Sequence, residues 1–219
     1  IYYDISNNGS DKTAIAWSTS NGITIQQQDY NGFDVGSAIS ITKGTRPSLS
    51  YLSNGDIAIT YFARNGSDYD SFLKVFDSNG IEKHSSQVST TEGTGDYINP
   101  EVIDIGNSQF LLQWINSDPF SAASGSKAQI YDYNFNKVGS SFEISDQSAG
   151  SQSAAVSKSV KLSSSNIAVP VYTGGTTKKY GIKLFDLTTK NELANIDLTG
   201  SLDFGRVSDF HLSKMSTGF

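Results

Sequence analysis

Three features of the amino-acid sequence predict an all-β protein built from about four copies of one four-stranded antiparallel unit. Asn-Gly pairs, which form tight hairpin turns, occur in two groups of three within the first eighty residues. Apolar residues alternate with polar ones between these turns, as they do in half-buried strands. An aromatic residue closes the second strand of each unit, and an aspartate closes the third. Four-stranded units of roughly 50 residues have the size of β-propeller blades.

The Asn-Gly turns give the strand order within a unit, because three consecutive hairpin turns join four strands, here named A to D. Asn and Gly both adopt the positive φ values that two-residue turns require. In the second unit the strands with their turns are predicted over residues 47–55, 56–66, 71–80 and 81–90. The turns lie at Asn8-Gly9, Asn21-Gly22, Asn31-Gly32, Asn54-Gly55, Asn65-Gly66 and Asn79-Gly80.

The same frame divides the chain into units of about 1–46, 47–99, 100–155 and 156–206 within a single repeat domain, 1–219. Residues 207–219 are expected to form a lone strand of a further unit or a strand that closes the first blade. Pro47 and Pro100 are each predicted to open an A strand, where a missing backbone donor is tolerated. The region Ser117 to Ser126 is the longest connection between B and C strands and a candidate surface loop.

Composition limits the classes of partner. The 219 residues carry a net charge of -6 and no cluster of Lys or Arg, which argues against a nucleic-acid binder. The absence of cysteine excludes disulfides and thiolate metal sites. No apolar run approaches the roughly 20 residues that cross a bilayer, so no membrane insertion is expected. The low charged fraction, 17%, is typical of a secreted or surface β protein.

Three segments, Pro47 to Gly55, Lys74 to Gly80 and Asn136 to Ile144, carry a recurring frame. It resembles the approximately fifty-residue repeats of giant bacterial and cyanobacterial secreted surface proteins, such as adhesins and RTX-type exoproteins. The resemblance implies an extracellular or cell-surface location and a role in adhesion or display, with a glycan or protein partner. The Gly-Asp-rich loop and the Gln-Arg pair of those repeats are missing here, so no calcium role is carried over.

Recurring aspartates and aromatic residues are the first candidates for a functional site. The aspartates are interpreted as caps of turns, because catalysis normally needs an acid and a base in different environments. The aromatic residues are interpreted as packing between blades, with sugar-stacking platforms as the alternative. The aspartates are Asp29, Asp77, Asp132 and Asp186, and the aromatic residues are Trp17, Tyr61, Trp114 and Tyr172.

Few residues are candidates for binding a metal ion or for acting as a catalytic nucleophile. Residues 65–70 offer several oxygen ligands, Asp68 and Asp70 among them, as calcium loops do. A solvated loop is the favoured interpretation, so no cofactor is expected and calcium is the alternative. His84 and His211 are the only histidines, and no Ser-His-Asp arrangement can be assembled around them.

The sequence therefore predicts a non-enzymatic extracellular interaction or adhesion module, which could also associate with itself through exposed strand edges. A carbohydrate-binding propeller is the first alternative. A propeller glycosidase is the second, and it would need two carboxylates across a cleft, for which Asp4, Glu101 and Asp104 near the inner strands are candidates.

Overall fold

The computed structural model describes residues 1–65, 68–88, 96–117, 124–145, 153–155, 158–173 and 179–198. These residues form antiparallel strands in four separate sheets, which confirms the predicted all-β fold of four-stranded blades. Within this part of the chain there is no helix, and hence none that could span a membrane.

The first two sheets each contain four strands in chain order. Blade 1 consists of β1 (Tyr3–Asn7), β2 (Lys12–Thr19), β3 (Gly22–Asp29) and β4 (Asp34–Ile41). Blade 2 consists of β5 (Thr45–Tyr51), β6 (Ile57–Asn65), β7 (Asp68–Phe76) and β8 (Glu82–Gln87). The predicted Asn-Gly pairs lie between these strands or at their ends, where Gly22 begins β3 and Asn65 ends β6; Gly66 falls outside the described residues.

We call the first strand of each blade its inner strand. Blades 3 and 4 follow the same order, but the inner strand is longer in blade 3 and divided in blade 4. Blade 3 consists of β9 (Asp96–Gly106), β10 (Gln109–Ser117), β11 (Ser124–Asp132) and β12 (Phe142–Ser145). In blade 4 two short strands, β13 (Ser153–Ala155) and β14 (Val160–Lys161), both pair with β15 (Asn166–Thr173). The sheet continues with β16 (Lys179–Asp186) and β17 (Glu192–Asp197).

The two prolines lie inside the inner strands, so the prediction that they open these strands was wrong. Pro47 falls where the pairing of β5 with β6 shifts register, and Pro100 falls at a similar shift between β9 and β10. A bulge leaves a residue unpaired, and a residue without an N–H can occupy it at no cost in ladder hydrogen bonds. The preceding residues, Arg46 and Asn99, adopt φ values of 49° and 51° at these irregularities.

Hydrophobic side chains fill the spaces between consecutive blades. Ala14, Ala16 and Ile25 of blade 1 pack against Leu49, Ile59 and Tyr61 of blade 2. Corresponding clusters join blade 2 to blade 3 and blade 3 to blade 4. Each described blade is thus stabilised mainly by its neighbours, as in other stacked repeats. The division into a single domain over 1–219 stays a prediction.

Gly44, in the connection between blades 1 and 2, provides a test of this packing. A Cβ atom on Gly44 would lie 2.4 Å from Cδ2 of Tyr61, whereas one on Gly55 would meet nothing within 4 Å. Both glycines have positive φ. We expect Gly44→Ala to lower the free energy of unfolding by about 3 kcal/mol and Gly55→Ala by about 1 kcal/mol. Urea denaturation measures both, and equal losses would contradict the packing described here.

Candidate functional site at the inner strands

One position of the inner strand brings four polar side chains of different chemistry to equivalent places in the four blades. The equivalence follows from the hairpin that joins the inner strand to the next strand. The regular ladder ends at the pairs Asn7 with Thr13, Tyr51 with Ile57, Asp104 with Phe110 and Lys161 with Ile167; in blade 3 a register shift and one more pair, Gly106 with Gln109, follow. In the inner strand, the third residue before the last residue of this regular ladder defines what we call the inner layer: Asp4, Ser48, Glu101 and Lys158.

Asp4 and Lys158 form an ion pair that joins blade 1 to blade 4. Lys158 Nζ lies 2.9 Å from Asp4 Oδ2 and also donates to the carbonyl oxygen of Leu49 in blade 2. The same carboxylate oxygen accepts the backbone N–H of Leu49 at 2.7 Å. The pair therefore connects three blades, and its two side chains are only 31% and 25% exposed. Partial burial makes such a pair less screened by salt than one on the surface.

Glu101 lies beside this pair and is hydrogen-bonded within blade 3. Gln113 Nε2 donates to Glu101 Oε2 at 2.9 Å, and Ser159 Oγ donates to Gln113 Oε1 at 2.5 Å. Burial raises the pKa of Glu101 to about 8, and the nearby Asp4 carboxylate also raises it, whereas Lys158 and the Gln113 hydrogen bond oppose the rise. The Glu101 carboxyl is therefore mostly protonated at neutral pH, the form that can donate a proton.

Further side chains of the inner strands hold the backbone of the following blade. Ser6 Oγ accepts the N–H of Tyr51 at 3.0 Å. In the next blade Ser50 Oγ accepts the N–H of Asp104 at 3.0 Å, and Ser48 Oγ lies 3.5 Å from the N of Val102. These contacts repeat the bond from Leu49 to Asp4, so the inner-layer position serves blade assembly as well as any chemistry.

The third candidate carboxylate, Asp104, lies apart from the inner layer. Its two oxygens accept hydrogen bonds from Ser53 Oγ at 2.5 Å and Tyr133 OH at 2.6 Å. Burial raises the pKa of Tyr133 to about 12, and its bond to Asp104 adds to the rise. Asp104 thus fixes the hairpin of blade 2 against blade 3.

The recurring aspartates cap turns, as predicted. In each blade one Oδ1 atom accepts two backbone N–H groups of the turn that follows, at 2.6 to 2.9 Å. These hydrogen bonds favour the ionised form, and they lower the pKa of Asp77 and Asp186. The pKa of Asp132 is lowered mainly by a hydrogen bond from the Asn136 side chain, and the backbone N–H of Asn136 adds to the effect. The complete set is Asp29, Asp77, Asp132 and Asp186.

Three of the four predicted aromatic residues share a register position. Tyr61 and Trp114 are each 5% exposed and belong to clusters between blades, whereas Trp17 is partly exposed. In blade 4 this position is occupied by Val171, and Tyr172 lies one residue further along. Because side chains alternate between the faces of a sheet, Tyr172 points to the opposite face. Whether any of the four binds a sugar stays a prediction.

The remaining sequence candidates give no metal centre among the described residues. No group of three or more His, Asp or Glu side chains that could hold an ion lies in that part of the chain. The Asp68 side chain, residues 118–123 of the candidate loop, His211 and residues 207–219 lie outside it. His84 stacks on Phe135 with ring centroids 4.0 Å apart, and burial lowers its pKa.

No protein-family model matches the chain, and no curated protein matches it. Among solved structures, it resembles an endo-arabinase from Bacteroides thetaiotaomicron VPI-5482, with a TM-score of 0.56 and 11% identity over 87% of this chain and 76% of that one. A GH43 endo-arabinanase from Bacillus licheniformis gives a TM-score of 0.52 and 14% identity, over 92% of this chain and 81% of that one. The Dos1 propeller gives a TM-score of 0.50 and 13% identity, over 87% of this chain and 46% of that one. At these identities the likeness establishes a β-propeller fold.

Glu101 provides a pH test of the inner layer. Its pKa of about 8 in the folded protein exceeds the ordinary value of 4.5, so the folded state keeps a proton that the unfolded chain releases. The contribution of Glu101 to the free energy of unfolding should therefore be greatest below pH 4.5 and should fall as pH rises towards 8. Glu101→Gln should remove this fall and be more stable than wild type at pH 8 by up to about 4 kcal/mol.

Urea denaturation between pH 5 and 8 measures the effect. Glu143→Gln is the control, because Glu143 is an exposed carboxylate on β12. A Glu101→Gln variant that keeps the wild-type dependence on pH would show that the carboxyl titrates in the ordinary range.

Proposed function

We propose that this chain is a non-enzymatic interaction module, used for adhesion or assembly on an extracellular or cell-surface protein. The resemblance of its repeats to those of large bacterial surface proteins supports the location. Its β-propeller fold supports the mode of action, because propellers present wide surfaces made of loops and strand edges. The fold itself is shared by enzymes and by binding proteins and does not select between them.

The observation that carries this proposal is the hydrogen bonding of Asp4. A catalytic base needs a carboxylate oxygen that is accessible to water or substrate. Asp4 Oδ1 accepts the N–H of Ile5 at 2.8 Å, and Oδ2 accepts both Leu49 N–H and Lys158 Nζ. Oδ2 therefore joins three blades, and Oδ1 is bonded to the backbone of its own strand. An acid–base mechanism at Oδ2 would have to break the bonds that join these blades.

A glycoside hydrolase is the second candidate, and Glu101 favours it. A carboxyl group that stays protonated at neutral pH, next to a second carboxylate, is the arrangement that glycosidases use for general acid catalysis. Several of the similar solved structures are glycoside hydrolases, among them two that act on arabinan by their names. In this candidate Glu101 is the proton donor and Asp4 the second carboxylate.

Hydrolysis of arabinan and xylan by the purified chain separates the two candidates. The interaction module predicts that wild type releases no more reducing ends than Glu101→Gln or Asp4→Asn, because none of the three is an enzyme. Activity that both substitutions abolish, and that the exposed-site control Glu143→Gln retains, would refute the proposal and establish the hydrolase. Unfolding curves of each variant are recorded in parallel, so that loss of structure is not mistaken for loss of catalysis.

A further inference from the structure

The face of blade 1 that points away from blade 2 carries apolar side chains on which none of the described blades packs. Ala14 and Ala16 of β2 belong to the cluster with blade 2, so the alternating residues Ile15 and Trp17 point to the opposite face. Ile5 pairs with Ile15 and Tyr3 with Trp17 across the β1–β2 ladder. We call these four residues the rear face of blade 1. Tyr3 is 72% exposed and Ile5 is 53% exposed.

Equivalent pairs in the next two blades are fully buried. Leu49 pairs with Ile59 in blade 2, and both are 0% exposed. Val102 pairs with Leu112 in blade 3, and they are 0% and 1% exposed. In each case the burial comes from the blade that precedes in the chain, because the clusters contain residues of both blades. The same positions are thus interface residues in blades 2 and 3.

The backbone of β1 differs in the same way. The N–H groups of Leu49 and Val102 point to side chains of the preceding blade, Asp4 and Ser48. The equivalent N–H, that of Ile5, is instead bonded to Oδ1 of its own neighbour Asp4 at 2.8 Å. Among the described residues, the Ile5 N–H of β1 therefore lacks the acceptor from a preceding blade that blades 2 and 3 receive.

We infer that the rear face of blade 1 is the docking surface for a further blade of the same repeat. The incoming blade presents small and aliphatic residues, as blade 1 does to blade 2 through Ala14, Ala16 and Ile25. Continuity with the existing inter-blade contacts favours this occupant, since the surface is already shaped by the repeat.

Fluorescence of Trp17 tests the inference, because the other tryptophan, Trp114, is already buried. A second copy of residues 1–44, with its own tryptophan replaced by phenylalanine, is fused ahead of Ile1. We expect acrylamide quenching of Trp17 to fall roughly threefold, since a packed inter-blade contact excludes the quencher. A second fusion, with residues 45–95 ahead of Ile1, repeats the test with a different blade in case the first copy fails to fold.

Ile5→Asp is the matched variant. In the unextended chain it should leave the unfolding midpoint almost unchanged, because Ile5 is more than half exposed. In the extended chains it should restore the quenching of the unextended protein. Quenching that neither extension changes would overturn the inference. So would dimers of the unextended chain that protect Trp17 and dissociate on Ile5→Asp, because they would identify a second copy as the occupant.

Discussion

The structure depends on how the inner edges of its blades satisfy their backbone N–H groups. Each inner strand pairs with a neighbour on one side only, so its other side exposes donors that cost free energy if they are buried without an acceptor. Between blades 1, 2 and 3, short polar side chains of one inner strand accept N–H groups of the next. This arrangement joins separate sheets by hydrogen bonds without merging them into one sheet.

The same constraint explains why equivalent residues differ in chemistry. Asp4 and Ser48 each accept a backbone N–H of the next blade, whereas Glu101 is bonded to Gln113 and Lys158 donates to two other blades. A carboxylate and an ammonium group can share this crowded layer because each neutralises the other. Burial raises the pKa of Glu101, and Lys158 of the neighbouring pair only partly opposes the rise.

Local chemistry made the blades and their turns predictable from the sequence. Asn-Gly hairpins and the capping of turns by aspartates such as Asp132 depend on neighbouring residues only. The inner layer was only partly predictable: Asp4 and Glu101 were candidates, but Lys158 lies beside a divided strand with no clear alternation. Tyr172 misled the alignment because an aromatic residue occurs one position after the equivalent one, Val171, and a shift of one residue reverses the face.

Native-state hydrogen exchange tests most directly whether side chains of one inner strand hold the next blade. The account predicts that the amides of Leu49, Tyr51 and Asp104 exchange only through global unfolding. It also predicts that Ser50→Ala speeds exchange at Asp104 while leaving Tyr51 protected, because Tyr51 is held by Ser6. Fast exchange at all three amides in the wild-type protein would contradict the account, since these donors would then be open to water.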